Sequence, residues 1–267
     1  MGLSLMGKKN KAVASEILRQ AKALYERDYL YRYQGMHLKY FWHIIMPCLP
    51  LFLYNFLNFI GVFGESTGEI PRAITISVGI TFYTLFSESL IKVSGALVGN
   101  KNFIIKTGIG FRSCYLSALF SVYSNFLIRF FVLVIILAFY DGYLGSSILL
   151  AFFYSSIPVT IGTSFGLFLS IFSVFYRDID NIVQTFAFYL LFASGVFATI
   201  DGTSMLENIV SNLPSYVAVV NARAVIIDGL EFDLTRTLVW LIGCLLIAFG
   251  AIFAIRNSKH MILNYLK

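Results

Sequence analysis

Several uninterrupted apolar runs of about 18 to 25 residues constrain this chain more than any other feature, because a helix of that length crosses roughly 30 Å of hydrocarbon. A bilayer offers no water to backbone N–H and C=O groups, so such runs fold as helices that satisfy their own backbone. A soluble core has no need for them. Charged residues make up only 13% of the chain, against about a quarter in ordinary soluble domains. The mean hydropathy of +0.79 points the same way. Length then sets a helix count: 267 residues hold about six spans with short loops, and leave no room for a soluble catalytic domain of the usual ~100 residues.

The expected organisation is an all-α integral membrane protein of about six transmembrane helices in three parts: a segment 1–40, a membrane domain 41–256 and a cytoplasmic tail 257–267. The spans are read at 41–63, 73–98, 115–140, 148–176, 182–200 and 237–255. Pro47 and Pro50 interrupt the first, since each removes a backbone donor. The fourth carries Pro158 and Gly162-x-x-x-Gly166, a pattern of small residues that lets helices approach closely. Ahead of the first span, 14–33 alternates basic residues with Ile17, Leu24, Tyr25, Leu30 and Tyr31, as an amphipathic helix at a membrane interface does. The first forty residues are polar and basic, with no apolar segment ahead of Phe41, so a cleavable signal peptide is not expected.

Lys and Arg are distributed unequally between the two faces. One face holds Lys8, Lys9, Lys11, Arg19, Lys22, Arg27, Arg32 and Lys39, then Lys101, Lys106, Arg112, Arg177, Arg256, Lys259 and Lys267. The other holds Arg72, Arg223 and Arg236. By the positive-inside rule both termini are expected in the cytoplasm. The net charge of +6 reads as orientation rather than nucleic-acid binding, because these residues lie in the loops of one face. Cys48, Cys114 and Cys244 are far apart in or beside apolar runs and read as small core residues.

Chemistry-bearing motifs are scarce. The sequence contains no Walker A pattern, no HExxH, no GxSxG and no clustered His, Cys and carboxylate set, so no catalytic, cofactor or metal residues are assigned. His43, at the start of the first span, reads as a side chain snorkelling to the interface. Ionisable residues inside the membrane are the default functional candidates, and three occur: Glu88, Lys92 and Arg129. Glu88 and Lys92 form an i,i+4 pair in the favourable order. Counting inward at 1.5 Å per residue puts Glu88 at very roughly 21 Å and Arg129 at roughly 15 Å from one face, within reach of a long arginine. Aromatic residues are abundant, and Phe52, Tyr54, Phe56, Tyr83 and Phe86 are candidates to line a path for sugar rings. In the loop 175–181, Arg177 suits the end of the fourth helix, while Asp178, Asp180 or Asn181 suits the cap of the fifth.

Four groups of residues, in order, resemble the permease subunits of ABC exporters for polysaccharide. These are Arg27-Asp28 through Arg32-Tyr33 to Tyr40-Phe41-Trp42 and Pro47; Phe86-Ser87-Glu88-Ser89-Leu90 followed by Asn100-Lys101-Asn102-Phe103-Ile104-Ile105-Lys106; Phe175-Tyr176-Arg177-Asp178-Ile179; and Asn212-Leu213-Pro214. The chain departs from the family pattern at Gly35-Met36-His37-Leu38, at Gly110-Phe111-Arg112 and at Leu213. The resemblance implies a homodimer in the bacterial cytoplasmic (inner) membrane, paired with two copies of a separate ATPase subunit that binds ATP and Mg. The expected substrate is an undecaprenyl-linked glycan of O-antigen, capsule or teichoic-acid type, moved outward. It further implies an interfacial N-terminal helix in contact with membrane lipid, short re-entrant helices within 201–235, and coupling to the ATPase through the loop of Asn100, Lys101, Phe103, Ile104 and Lys106; Arg177 and Asp178 are added as the other short cytoplasmic connection able to receive force. Phe103 and Ile104 are expected as exposed apolar residues of a polar loop, a docking knob. Alternatives are an ABC permease for a small drug or peptide, a secondary transporter, which needs no ATPase, and a membrane enzyme, which needs a catalytic constellation not found in the sequence.

Overall fold

A computed structural model describes residues 2–32, 39–62, 71–139, 147–197, 205–227 and 232–266. The expected loops at 64–71 and 141–146 lie largely outside these residues, as do 201–204 and 228–231 of the segment after the fifth expected span. The described residues are helical, with no strand among them. In chain order the helices are α1 (Gly2–Arg32), α2 (Lys39–Phe59), α3 (Arg72–Ser94), α4 (Ala96–Gly99), α5 (Lys101–Thr107), α6 (Phe111–Ala138) and α7 (Ser147–Tyr154). They continue with α8 (Ser156–Phe175), α9 (Asp178–Ala193), α10 (Met205–Ser211), α11 (Pro214–Ile226), α12 (Leu234–Asn257) and α13 (Lys259–Leu266).

Among the described residues, four stretches are long and apolar enough to cross a membrane: Arg72–Ser94, Phe111–Ala138, Ser147–Phe175 and Leu234–Asn257. They correspond to the second, third, fourth and sixth expected spans. The first and fifth correspond to α2 and α9, which are not among the four. With 16 residues, α9 rises only about 24 Å, short of the hydrocarbon thickness. α2 is a 21-residue helix that carries both prolines and begins with polar residues. The fourth stretch is interrupted at Ser155, between α7 and α8, where the Pro158 ring conflicts with the carbonyl of Tyr154 four residues earlier.

α3 is the central element, buried along most of its length and packed against α2, α6, α8, α9 and α11. Its polar residues tolerate this because they bond their own backbone: Thr81 Oγ1 donates to the Ser77 carbonyl at 2.7 Å and Ser89 Oγ to the Phe86 carbonyl at 2.7 Å. α3 and α8 run side by side in the same direction, and glycine sets their spacing. A β-carbon on Gly162 would overlap Ser89 Oγ and lie 2.5 Å from the Phe86 carbonyl oxygen; one on Gly166 would lie 2.9 Å from Val93 Cβ. The Gly162-x-x-x-Gly166 pattern is therefore a packing surface. α12 contributes a narrow seam, including Cys244 and Ala251, and turns Leu245, Leu246, Phe249 and Phe253 outward. Apolar residues on the outer side of a long helix suit lipid rather than water.

One end of the bundle is closed by a separate apolar cluster of Leu24, Leu97, Ile104, Cys114, Val174, Ile255 and Ile262, drawn from α1, α4, α5, α6, α8, α12 and α13. Lys101, Lys106, Arg112, Arg177, Arg256 and Lys259 occupy the helix ends around it. The residues expected as a tail form α13, whose Tyr265 ring packs edge-on against Phe175 at 4.8 Å. α1 covers 14–32 of the expected amphipathic segment and extends back to Gly2. Its buried stripe rests on protein: Ala21 and Leu24 are enclosed, Ser113 Oγ donates to Gln20 Oε1 at 2.9 Å, and Tyr25 Oη donates to Ser124 Oγ at 2.8 Å.

Candidate functional site

The residues with most capacity for function meet where α3 crosses α6. Glu88 lies on the α3 face opposite its apolar contacts with α8, and Lys92 follows one turn later on the same side. Arg129 comes from the middle of α6 and is only 1% exposed. Its Nη1 donates to Glu88 Oε1, while Lys92 Nζ donates to Glu88 Oε2 at 3.2 Å and Asn125 Nδ2 to the same oxygen at 2.9 Å. One carboxylate thus serves two cations and an amide. Arg129 Nε and Nη2 are buried without a hydrogen-bond partner, and the guanidinium has Glu88 as its ion-pair carboxylate. In a low dielectric such a charge holds its surroundings in place strongly and is sensitive to loss of its one carboxylate.

The cluster adjoins two spaces. A cavity of about 20 Å³, room for one water, is lined by Asp28, His43, Ser121, Ser124 and Asn125 among others. His43 is buried rather than snorkelling: its ring stacks on Tyr29 at 3.7 Å and its Nε2 lies 3.1 Å from the Tyr29 carbonyl. The sequence could not show this because the covering group comes from α1. The second space, a cleft of about 270 Å³, lies between α1, the end of α3 with α4, and α6.

No protein-family model matches the chain, and no curated protein matches it.

The candidate coupling residues separate into two environments. Asn100 is buried, with Nδ2 donating to the Ala96 carbonyl at 3.0 Å and Oδ1 accepting from Arg27 Nη2 at 3.0 Å. Phe103 is 37% exposed and carries the Arg27 guanidinium 4.0 Å from its ring centroid. The expectation that Ile104 is exposed is corrected: at 3% exposure it belongs to the apolar cluster at the bundle end, and Ile105 is the outward residue. The cause is that 101–107 is a helix, so neighbouring residues point to different sides. Lys106 and Arg177 are exposed, Lys101 less so.

The 175–181 loop also differs from its expected capping. Arg177 occupies the N-cap of α9, no side chain caps it, and Asp178 and Asp180 lie within the first turn. Their carboxylates act on the helix dipole instead. Asn181 is inside the helix, so Asn181 and Gln184 form no capping box.

The five candidate path aromatics do not form one lining. Phe52 and Phe56 are exposed on α2, and Tyr54 packs against Phe197 at 5.0 Å. Tyr83 and Phe86 are enclosed in the core, where Tyr83 Oη donates to the Ala187 carbonyl.

Sequence reasoning missed Arg223, read only as a charge on the outer face. It is buried on α11, donating from Nε to the Thr75 carbonyl at 3.0 Å and from Nη2 to the Val196 carbonyl, in a notch left by Gly79. Two residues away, Asn221 Nδ2 donates to Thr237 Oγ1 at 2.6 Å and ties α11 to α12. The available signal was an amide, Asn221, and a long cation, Arg223, inside the otherwise apolar stretch 216–227.

Proposed function

We propose that the chain is the permease subunit of an ATP-driven ABC exporter that moves a lipid-linked polysaccharide outward across the bacterial cytoplasmic membrane. The observation that carries this reading is α5: a seven-residue helix between long apolar helices, holding Phe103, Ile105 and Lys106 outward while Ile104 and Asn100 fix it to the bundle. A rigid projection of this kind suits a chain with no nucleotide-binding motif that takes energy from a partner, because differential contact in two nucleotide states is what shifts an equilibrium. The resemblance in 27–47, 86–106, 175–179 and 212–214 supplies the class of substrate and partner.

In this reading α2 and α9 complete six spans, with the turn at 194–197 closing α9. α10 and α11 form the re-entrant segment; α11 starts at Pro214, a residue suited to the first helical position. α1 lies at the cytoplasmic side and both termini are cytoplasmic, in keeping with the clustering of Lys and Arg at one end of the bundle. Two copies of the chain pair with two copies of the ATPase. The test is to co-express the chain with an ATPase subunit encoded beside it and to measure hydrolysis in proteoliposomes. Stimulation by an undecaprenyl-linked glycan is the expected result. A co-purifying ATPase stimulated instead by a peptide or drug would move the substrate class, and no ATPase association would contradict the reading.

A further inference from the structure

α5 is too short to hold itself. A helix of seven residues does not persist alone in water, and its N-cap Asn100 makes no side-chain capping bond. Ile104 enters the apolar cluster at the bundle end. One apolar side chain fixes a point on a helix and leaves its rotation about that point to other contacts.

Among the described residues, the polar side chain that reaches both Asn100 and Phe103 from outside 96–107 is Arg27 of α1. Its Nη2 donates to Asn100 Oδ1 at 3.0 Å, and its guanidinium carbon lies 4.0 Å from the Phe103 ring centroid. Asn100 completes the joint, since its Nδ2 donates to the Ala96 carbonyl at 3.0 Å. The guanidinium is oriented in turn by Asp28, whose Oδ1 accepts from Nε at 2.7 Å. α1 itself is fastened to α6 through Ser113 with Gln20 and Tyr25 with Ser124. The position of α6 and α1 is thus passed to α5 through one side chain. Arginine suits the task, because a planar guanidinium covers an aromatic ring while its edge donates a hydrogen bond, whereas a lysine ammonium is a point charge without that fork.

We propose that Arg27 is the positioning residue of α5, setting the orientation in which Phe103 and Ile105 are presented to the ATPase. The identity of the partner rests on the exporter reading; the hold of Arg27 on α5 does not.

The test separates the two. A nitroxide is attached to the purified full chain, without ATPase, at Lys106→Cys on α5 or, as a control, at Phe249→Cys on α12; both sites are exposed, and Cys48, Cys114 and Cys244 are buried. Arg27→Gln is expected to raise label mobility at 106 and not at 249. Arg27→Lys, which keeps a charge over the ring but lacks the fork, raises it less. With the ATPase co-expressed, Arg27→Gln is expected to weaken co-purification about two- to fivefold, the range of one cation–π contact. In a Phe103→Leu background the same change adds little, because the ring it held is gone. Unchanged mobility at 106, equal mobilisation at 106 and 249, or additive losses from Arg27→Gln and Phe103→Leu overturn the proposal. A wild-type chain that binds no ATPase contradicts the exporter reading, while the mobility at 106 still decides the hold of Arg27 on α5.

Discussion

Glu88 is the single carboxylate that Arg129 and Lys92 share, and it accepts from Asn125 as well. Replacing it by alanine leaves a fully buried guanidinium without its counter-charge. Removal of one partner of a buried pair costs on the order of 3 kcal/mol. Glu88→Ala is therefore expected to lower the thermal midpoint of the purified chain and to impair export, whereas Glu88→Met combined with Arg129→Met recovers most of the midpoint without restoring export. Midpoints from dye-based melting and export of surface glycan separate the two effects; full export by Glu88→Ala would make the cluster purely structural. The sequence placed Glu88, Lys92 and Arg129 within reach of one another because helix rise converts residue number into depth. Arg223 escaped it. Its partners are the backbone carbonyls of Thr75 and Val196, which carry no side-chain signature.

At the scale of elements, the α3–α8 crossing and α5 carry the clearest tests. Gly162→Val forces Ser89 and the Phe86 carbonyl away from α8, an overpacking worth roughly 1–3 kcal/mol. Gly243→Ala and Gly250→Ala in α12 meet nothing within 4 Å and are expected to leave the melting midpoint unchanged or slightly raised. Equal effects at the three glycines would deny the crossing its role. For α5, Ile104→Ser removes a buried side chain and is expected to lower the midpoint. Phe103→Ser and Ile105→Ser act on exposed residues and are expected to preserve the midpoint while weakening ATPase co-purification several-fold. Normal co-purification by the Phe103, Ile105 double variant would refute docking through this helix. Which of Ile104 and Ile105 turns inward depends on the phase of a short helix, and a loop reading carries no phase. Likewise, burial of His43 depends on Tyr29 near the end of α1 stacking on its ring, a tertiary contact that the local sequence does not encode.

For the molecule as a whole, the apolar runs of the second, third, fourth and sixth expected spans were legible because lipid selects length and composition directly. α2 and α9 were read as spans from apolar runs that include residues outside their helices. Mixed segments such as α10 and α11 gave no period to read, since α11 is enclosed by α3, α7, α8 and α12 and needs no polar face. The basic end, with α5, α13 and the helix-end arginines around one apolar cluster, sets the expected orientation. Accessibility reporters at Gly68 and Gly142 are expected outside and those at Asn102 and Asp180 inside; a cytoplasmic signal at Gly142 would break the six-span arrangement. The most direct measurement is transfer itself. Inside-out vesicles containing the chain and its ATPase are supplied with fluorescent undecaprenyl-linked glycan and ATP, and the glycan that becomes protected in the lumen is counted. The exporter reading predicts ATP-dependent protection that is lost when this chain is omitted; protection that persists without the chain, or that needs no ATP, would contradict it.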